Sequence, residues 1–375
     1  MSALGGSGRR LFKRKVRRAS VLMAVWLPSL IFLVAGEAGA ACSDAYRYVS
    51  LDQANPPGAQ FTDYFKVTDR GDLYGTSYAC DETCVPSIAL RHGGATVALV
   101  WNALGYTANE RGIVGGSVLT DPDTFTEQAA LFVGRTTLLI PRLPDEATSH
   151  VEKITEKGIA LVQSVDTNGL LSYYLYTLWR SMTPLDLGSG QIGSLDVTDA
   201  AGPPNSLAAR ALVSGTIFGP GPSDDRAFRY SPPSGPLQLL DPVATEPESW
   251  GQAINRDGEV LGYSFVPGRL ERIGYWRDGT FQTLFVEGTA AFPTVSNRLL
   301  WNDHRLVVIT DTNDLNSYLV PSPGLRLNVA DLTTGLPAWS LIRDVNNRGD
   351  LLGGGGPDRF FLEHSFLLER ICPQP

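Results

Sequence analysis

Apolar and polar residues alternate along most of this chain in short runs, each closed by Gly, Asn, Asp or Pro. Period-two alternation bounded by turn residues is the signature of half-buried strands joined tightly. The clearest stretch begins at Ile254. Ala253-Ile254-Asn255 ends one strand, Arg256-Asp257-Gly258 is a turn in which Gly258 is free to take positive φ, and Glu259 to Ser264 is the return strand. After a loop to about Arg272, Ile273-Gly274-Tyr275-Trp276 makes a third strand. Arg277-Asp278-Gly279 makes a second tight turn and Thr280 to Phe285 a fourth strand. Asp-Gly between apolar runs is a strong hairpin signal. The unit is therefore four antiparallel strands.

The phrase INRDGEVLGYS (254–264) recurs at 67–77, 107–117, 154–164 and 345–355, with two degraded copies at 206–216 and 300–310. Its turn falls at Gly71, Gly112, Gly158, Arg210, Gly258, His304 and Gly349, in steps of 41 to 52 residues. A period of roughly 40–50 residues with four strands each is that of propeller blades. One four-stranded sheet cannot bury both its faces; stacking sheets about an axis buries each against its neighbours. The expected fold is all-β, a seven-bladed β-propeller of four-stranded antiparallel blades over residues 42–375. A β-solenoid is the competing architecture, and the chain ends argue against it. The last copy stops after a third strand, Phe360 to Leu368, while Tyr46 to Asp52 is a strand with no partners near it in sequence. Placing the N-terminal strand in the last blade completes that blade and closes the ring. Closure would bring Cys42 next to Cys372, so those two are expected to pair, and Cys80 to pair with Cys84.

Residues 1–41 are read apart from the fold. A basic run (Arg9 to Arg18), an apolar stretch from about Val21 to Ala35 and the small residues Ala38-Gly39-Ala40 follow the order of a secretory signal peptide. The apolar stretch is shorter than the ~20 residues a spanning helix needs. Arg9-Arg10 leaves twin-arginine export open beside the general route, and a lipid anchor at Cys42 is a weaker alternative. The mature protein is expected in the periplasm or the medium, with no transmembrane segment and as a monomer. Removing the leader takes away seven of 31 Lys and Arg but one of 39 acids, leaving 24 basic and 38 acidic groups, a net charge of −14. Such a body is a poor partner for nucleic acid. Only three lysines remain, Lys66, Lys153 and Lys157.

Ile254-Asn255-Arg256-Asp257-Gly258, Gly262-Tyr263-Ser264 and Ala227-Phe228-Arg229-Tyr230 resemble the I-N-x-x-G-x-V-x-G-x-S phrase and A-F-x-W segment of the HAF-type probable extracellular repeat family. The resemblance covers nearly all of residues 60–368. It implies a secreted, propeller-like repeat protein and supplies no catalytic residues.

Candidate chemistry is sparse. His92, His150, His304 and His364 fall in different blades, with no metal-ligand spacing, and no G-x-S-x-G elbow occurs. The turn face carries one basic residue per blade, Arg70, Arg111, Lys157, Arg210, Arg256, Arg305 and Arg348, a candidate basic binding face. The opposite loops hold acids such as Asp121, Asp166, Asp224, Asp225, Glu271 and Asp311. No catalytic residue, metal site or cofactor is assigned. Calcium is a minor alternative at Asp166-Thr167-Asn168-Gly169 and at Asp311 to Asp314, where Asx turns explain the same residues. The leading expectation is a secreted, non-catalytic propeller that presents loops to a protein or glycan. The alternative is a hydrolase or lyase with carboxylates or histidines drawn into the axial channel.

Overall fold

The computed structural model describes residues 45–80, 84–121, 126–178, 181–187, 191–200, 211–221, 224–232, 235–266, 270–287, 297–311, 316–337, 339–356 and 364–371. Cys42, Cys372 and Arg210 lie outside these residues. The strands assemble into seven four-stranded antiparallel sheets, each taking consecutive strands in order except the last. Blade 5 shows the rule: Glu248–Ile254, Val260–Val266, Leu270–Arg277 and Thr280–Glu287, paired in that order. The innermost strands of blades 1 to 7 are Phe61–Val67, Ala103–Ala108, Glu146–Ile154, Gln191–Asp199, Glu248–Ile254, Asn297–Trp301 and Trp339–Val345. Each touches the next, and the seventh touches the first, so the ring is closed.

Blade 7 is built from both ends of the chain. Its three C-terminal strands, Trp339–Val345, Leu351–Gly356 and His364–Arg370, are completed by Tyr46–Ser50. The register sets Tyr46 against Arg370, Tyr48 against Leu368 and Ser50 against Phe366. Beyond the strand, Ile371 N–H donates to the Ala45 carbonyl at 3.1 Å. Of the two expected disulfides, Cys80–Cys84 is formed across the tip of a blade 1 hairpin, with Cα atoms 4.0 Å apart.

The core is divided as the ring is. Seven apolar clusters fill the seven junctions between blades. Leu51, Tyr64, Val67 and Leu73 meet Leu352 and Leu367 where blade 7 meets blade 1. Ile254, Val260 and Trp276 meet Ala227 and Leu240 between blades 4 and 5. Trp276 explains the aromatic half of the repeat: it is 2% exposed, its indole N–H donates to the Asp241 carbonyl at 2.7 Å, and Phe281 packs edge-on at 4.7 Å.

The repeated phrase has two jobs. Its Asn folds the turn. Asn255 Oδ1 accepts the N–H of Asp257 and of Glu259, both at 3.0 Å, while Gly258 takes φ +77°. Asn109, Asn302 and Asn346 make the same turns, and their Nδ2 groups reach the next blade, to the carbonyls of Thr155, Asn346 and Thr68, each at 2.9 Å. Two copies were read out of step. Asn109, not Ala108, holds the asparagine place in the second, and in the sixth the left-handed residue is Arg305 (φ 62°), not His304.

The second job belongs to the later glycine. In six blades the innermost strand bulges against its neighbour, at Tyr64/Lys66, Gly105/Thr107, Val151/Lys153, Ile192/Leu195, Gly251/Ala253 and Ile342/Asp344. A bulge bends its strand over the residue opposite. That residue is Gly75, Gly116, Gly215, Gly262 or Gly353 in five of them. The innermost strand of blade 6 has no bulge, and Ile309 fits there. Blade 3 is the exception, with Val162 opposite its bulge.

Candidate functional site: the axial cavity

The innermost strands enclose a cavity of about 1470 Å³ that reaches the face bearing the phrase turns. Each of these strands is the edge of its sheet, so its outer row of N–H and C=O groups faces the neighbouring blades and the axis. Neighbouring side chains take up these groups. Asp344 accepts the N–H of Val67 at 2.8 Å, Asp196 that of Ile254 at 2.9 Å, and Gln252 that of Leu299 at 2.9 Å. On the turns, Glu110 accepts from Asp69 at 2.6 Å, Glu156 from Glu110 at 3.1 Å, and Asp199 from Lys157 at 3.0 Å. Asn347 accepts from Asp303 at 2.9 Å, and Asp69 from Asn347 at 2.7 Å. With Thr216 bridging to Gly251, every one of the seven junctions is stitched by a side chain to the next blade's backbone. A charged acceptor strengthens such a bond, to roughly 1.5–3 kcal/mol in mutational series.

The cavity holds ionic groups of both signs. Lys66 stands 3.2 Å from Asp344 and 3.7 Å from Glu110. Burial alone would push the Lys66 ammonium down, but Asp344 and Glu110 outweigh it and hold the pKa above its ordinary value. Burial raises Asp196, against the pull of Lys153 and the Ile254 N–H. Burial also lifts Glu110 to about 7 against the pull of Lys66, and it raises Glu156. Lys153, Tyr173, Gln252, Arg298 and Trp301 complete the wall. All three lysines beyond residue 41 line this cavity, among 36 of the described residues. Their scarcity elsewhere and the basic turn residues Arg70, Arg111, Lys157 and Arg256 were the sequence signals for it. Lys66, Lys153 and Asp344 each sit immediately before the first residue of a repeat phrase, just past a bulge.

The candidate basic residues share this face. Arg70, Arg111, Lys157 and Arg256 are exposed at the cavity mouth. Arg305 lies outside it, with its guanidinium on Glu259 at 2.8 Å; Arg277 reaches the same carboxylate at 2.5 Å. Arg348 pairs with Asp350. Acids alternate with the bases, since Asp69, Glu110, Glu156 and Asp303 occupy the same turns, so the face carries both signs. The histidines are not brought together: His92 pairs with Asp72, His150 with Glu152 and His364 with Asp52. Asp166 closes an Asx turn, accepting from Asn168 and Leu170 at 2.8 Å. Residues 312–315, the other candidate calcium loop, lie outside the described residues. Among the described residues no group of three metal-ligating side chains converges.

A different acid, Glu248, is expected to make stability depend on pH. Glu248, 4% exposed, is lifted to about 7, first by burial and then by the charge of Asp225, against the pull of Arg226. Its Oε1 has no hydrogen-bond partner among the described residues. An acid whose folded pKa is raised binds its proton more tightly when folded. Stability therefore falls as pH rises from about 4.5 and levels off above about 7, by up to roughly 3 kcal/mol for this group. Glu110 adds in the same direction. Thermal melts between pH 5 and 7.5 are expected to show Tm falling with pH, and Glu248→Gln is expected to flatten the slope. An unchanged slope in the variant would assign the effect elsewhere.

No family model and no curated protein matches this chain. Solved structures do. The β-propeller domain of the trilobed protease from Pyrococcus furiosus matches with TM-score 0.53 at 9% identity, over 83% of this chain and 94% of that one. A catalytically inactive virginiamycin B lyase from Staphylococcus aureus, with quinupristin, matches with TM-score 0.50 at 11% identity, over 87% of this chain and all of that one. At such identity the likeness is one of fold, and the fold is the seven-bladed β-propeller.

Proposed function

We propose that this protein is an exported, non-catalytic binding propeller that presents the axial cavity and its turn-lined mouth to a protein or glycan. The observation that carries this reading is the employment of the cavity's carboxylates. Asp344, Asp196, Glu110, Glu156 and Asp199 each accept a backbone N–H from an adjacent blade. A general base must offer a lone pair to its substrate. These lone pairs are partly committed to holding the ring, whereas Arg70, Arg111, Lys157 and Arg256 stand exposed at the mouth. The cavity also exceeds the ~300–1,000 Å³ of small-molecule pockets, which suits a protruding loop or an oligosaccharide.

The hydrolase or lyase reading keeps one specific support. Glu110, at the mouth with a pKa of about 7, is poised for proton transfer at neutral pH. One experiment separates the two. The mature chain, recovered from the medium or periplasm, is applied to a glycan array and to native extract, beside a variant carrying Arg111→Glu, Lys157→Glu and Arg256→Glu. Binding is expected to survive extensive washing for the wild type, to fall at least tenfold for the variant, and to leave the ligand intact. Cleaved or unsaturated products released from the retained ligand would replace the binding reading with the enzymatic one.

A further inference from the structure

Besides Arg70, Arg111, Lys157 and Arg256 at its mouth, the cavity is lined by three further cations, Lys66, Lys153 and Arg298. Lys66 is held between Asp344 and Glu110. The side chains of Lys153 and Arg298 make no hydrogen bond or ion pair to another described residue; Asp196 acts on both through space, Glu152 acts on Lys153, and Asp344 acts on Arg298. Both side chains line the cavity. Arg298 is open to it, yet the surrounding protein is dense enough that desolvation lowers its pKa. Its strand, Asn297–Trp301, is the innermost strand without a bulge.

These three acids are already engaged elsewhere, Glu152 with His150 at 3.1 Å. Asp344 already serves Lys66 and the Val67 N–H, and Asp196 serves the Ile254 N–H. A guanidinium presents a planar fork that matches a carboxylate with two parallel bonds, and a lysine adds a point charge. Tyr173 and Trp301 in the same lining supply aromatic surface. The wall therefore offers a guanidinium fork for a carboxylate, and aromatic surface.

A peptide is the poorer fit. Extended peptides bind free strand edges by adding a strand. Here the edge amides of Val67, Ile254 and Leu299 are taken by Asp344, Asp196 and Gln252. A polyhydroxylated ligand needs no strand edge and uses scattered donors and acceptors instead.

We infer that the axial cavity binds an acidic sugar, a uronate-bearing oligosaccharide whose carboxylate lies on Arg298 and Lys153. This rests on the binding-propeller reading and narrows its ligand to one class.

Calorimetric titration of the mature chain tests it, with trigalacturonate, the neutral trisaccharide of the same length and inorganic phosphate as probes. The uronate is expected to bind at least tenfold more tightly than the neutral sugar. Arg298→Ala and Lys153→Ala are each expected to weaken it tenfold or more, and Arg298→Lys, which keeps charge but loses the fork, to weaken it by an intermediate factor. Unchanged thermal melts check that the variants fold. Added salt is expected to weaken the uronate and leave any residual neutral binding unmoved. Equal affinity for the neutral sugar, or insensitivity to Arg298→Ala, overturns the acidic-sugar assignment and leaves the binding reading standing. Phosphate binding as tightly as the uronate also overturns it, leaving an anion site without sugar recognition. No binding by any of the three probes, with a protein retained from native extract, overturns it in favour of a protein ligand. No ligand of either kind removes both readings.

Discussion

Gly262→Ala is expected to destabilise the ring by about 4 kcal/mol or more, a drop in Tm of roughly 10 °C. A Cβ at Gly262 would lie 1.9 Å from the Trp250 carbonyl oxygen, in backbone that the bulge at Gly251/Ala253 folds across it. No side chain can give way there; the inner strand itself must move. Gly116 meets the Leu104 carbonyl at the same 1.9 Å, so Gly116→Ala is expected to behave alike in blade 2. Circular-dichroism melts of the two variants check this. A loss under about 1 kcal/mol in both would show that the bulges relax easily and do not fix the inner strands.

The second large effect concerns the seam. Starting the protein at residue 53 instead of residue 42 removes the outermost strand of blade 7 and strips cover from Phe366, Leu367 and Leu368. It also removes Tyr46 and Leu51, which are buried in the clusters on either side of that blade. Each such side chain contributes about 1.5–3 kcal/mol by burial, and the exposed strand edge invites self-association. The truncated protein is expected to lose its cooperative melt and to elute as aggregate. A synthetic peptide of residues 45–54 is expected to restore a soluble monomer. Size-exclusion chromatography with and without peptide reads the outcome. A truncated chain that stays monomeric and melts cooperatively would make the strand dispensable.

The blades were legible because their determinants are local. Asp278-Gly279 forces a turn wherever it stands, and the strands expected on either side, Ile273 to Trp276 and Thr280 to Phe285, lie within Leu270–Arg277 and Thr280–Glu287. The closing strand was legible by elimination, since Tyr46 to Asp52 had no other sheet to join. Register inside the degraded copies was not. In the sixth copy Arg305 adopts the left-handed turn that glycine takes elsewhere, and composition gives no hint of it. The cavity wall was the least legible part. Lys153, Asp196, Arg298 and Asp344 come from four blades, and each bulge shifts which residues face the axis. A two-residue alternation drawn through such a strand goes out of phase at the bulge, so the inward residues cannot be counted off from the repeat.

Strand Tyr46–Ser50 and its partner His364–Arg370 lie more than 300 residues apart in the chain. Pairings that distant form late, because the loop they close must first be gathered. A newly made chain would thus carry an unfinished final sheet until the two strands had met. Contacts made late, after the rate-limiting step, mainly slow unfolding. The resistance of this protein to proteolysis would then be governed by how often one five-residue strand lifts off.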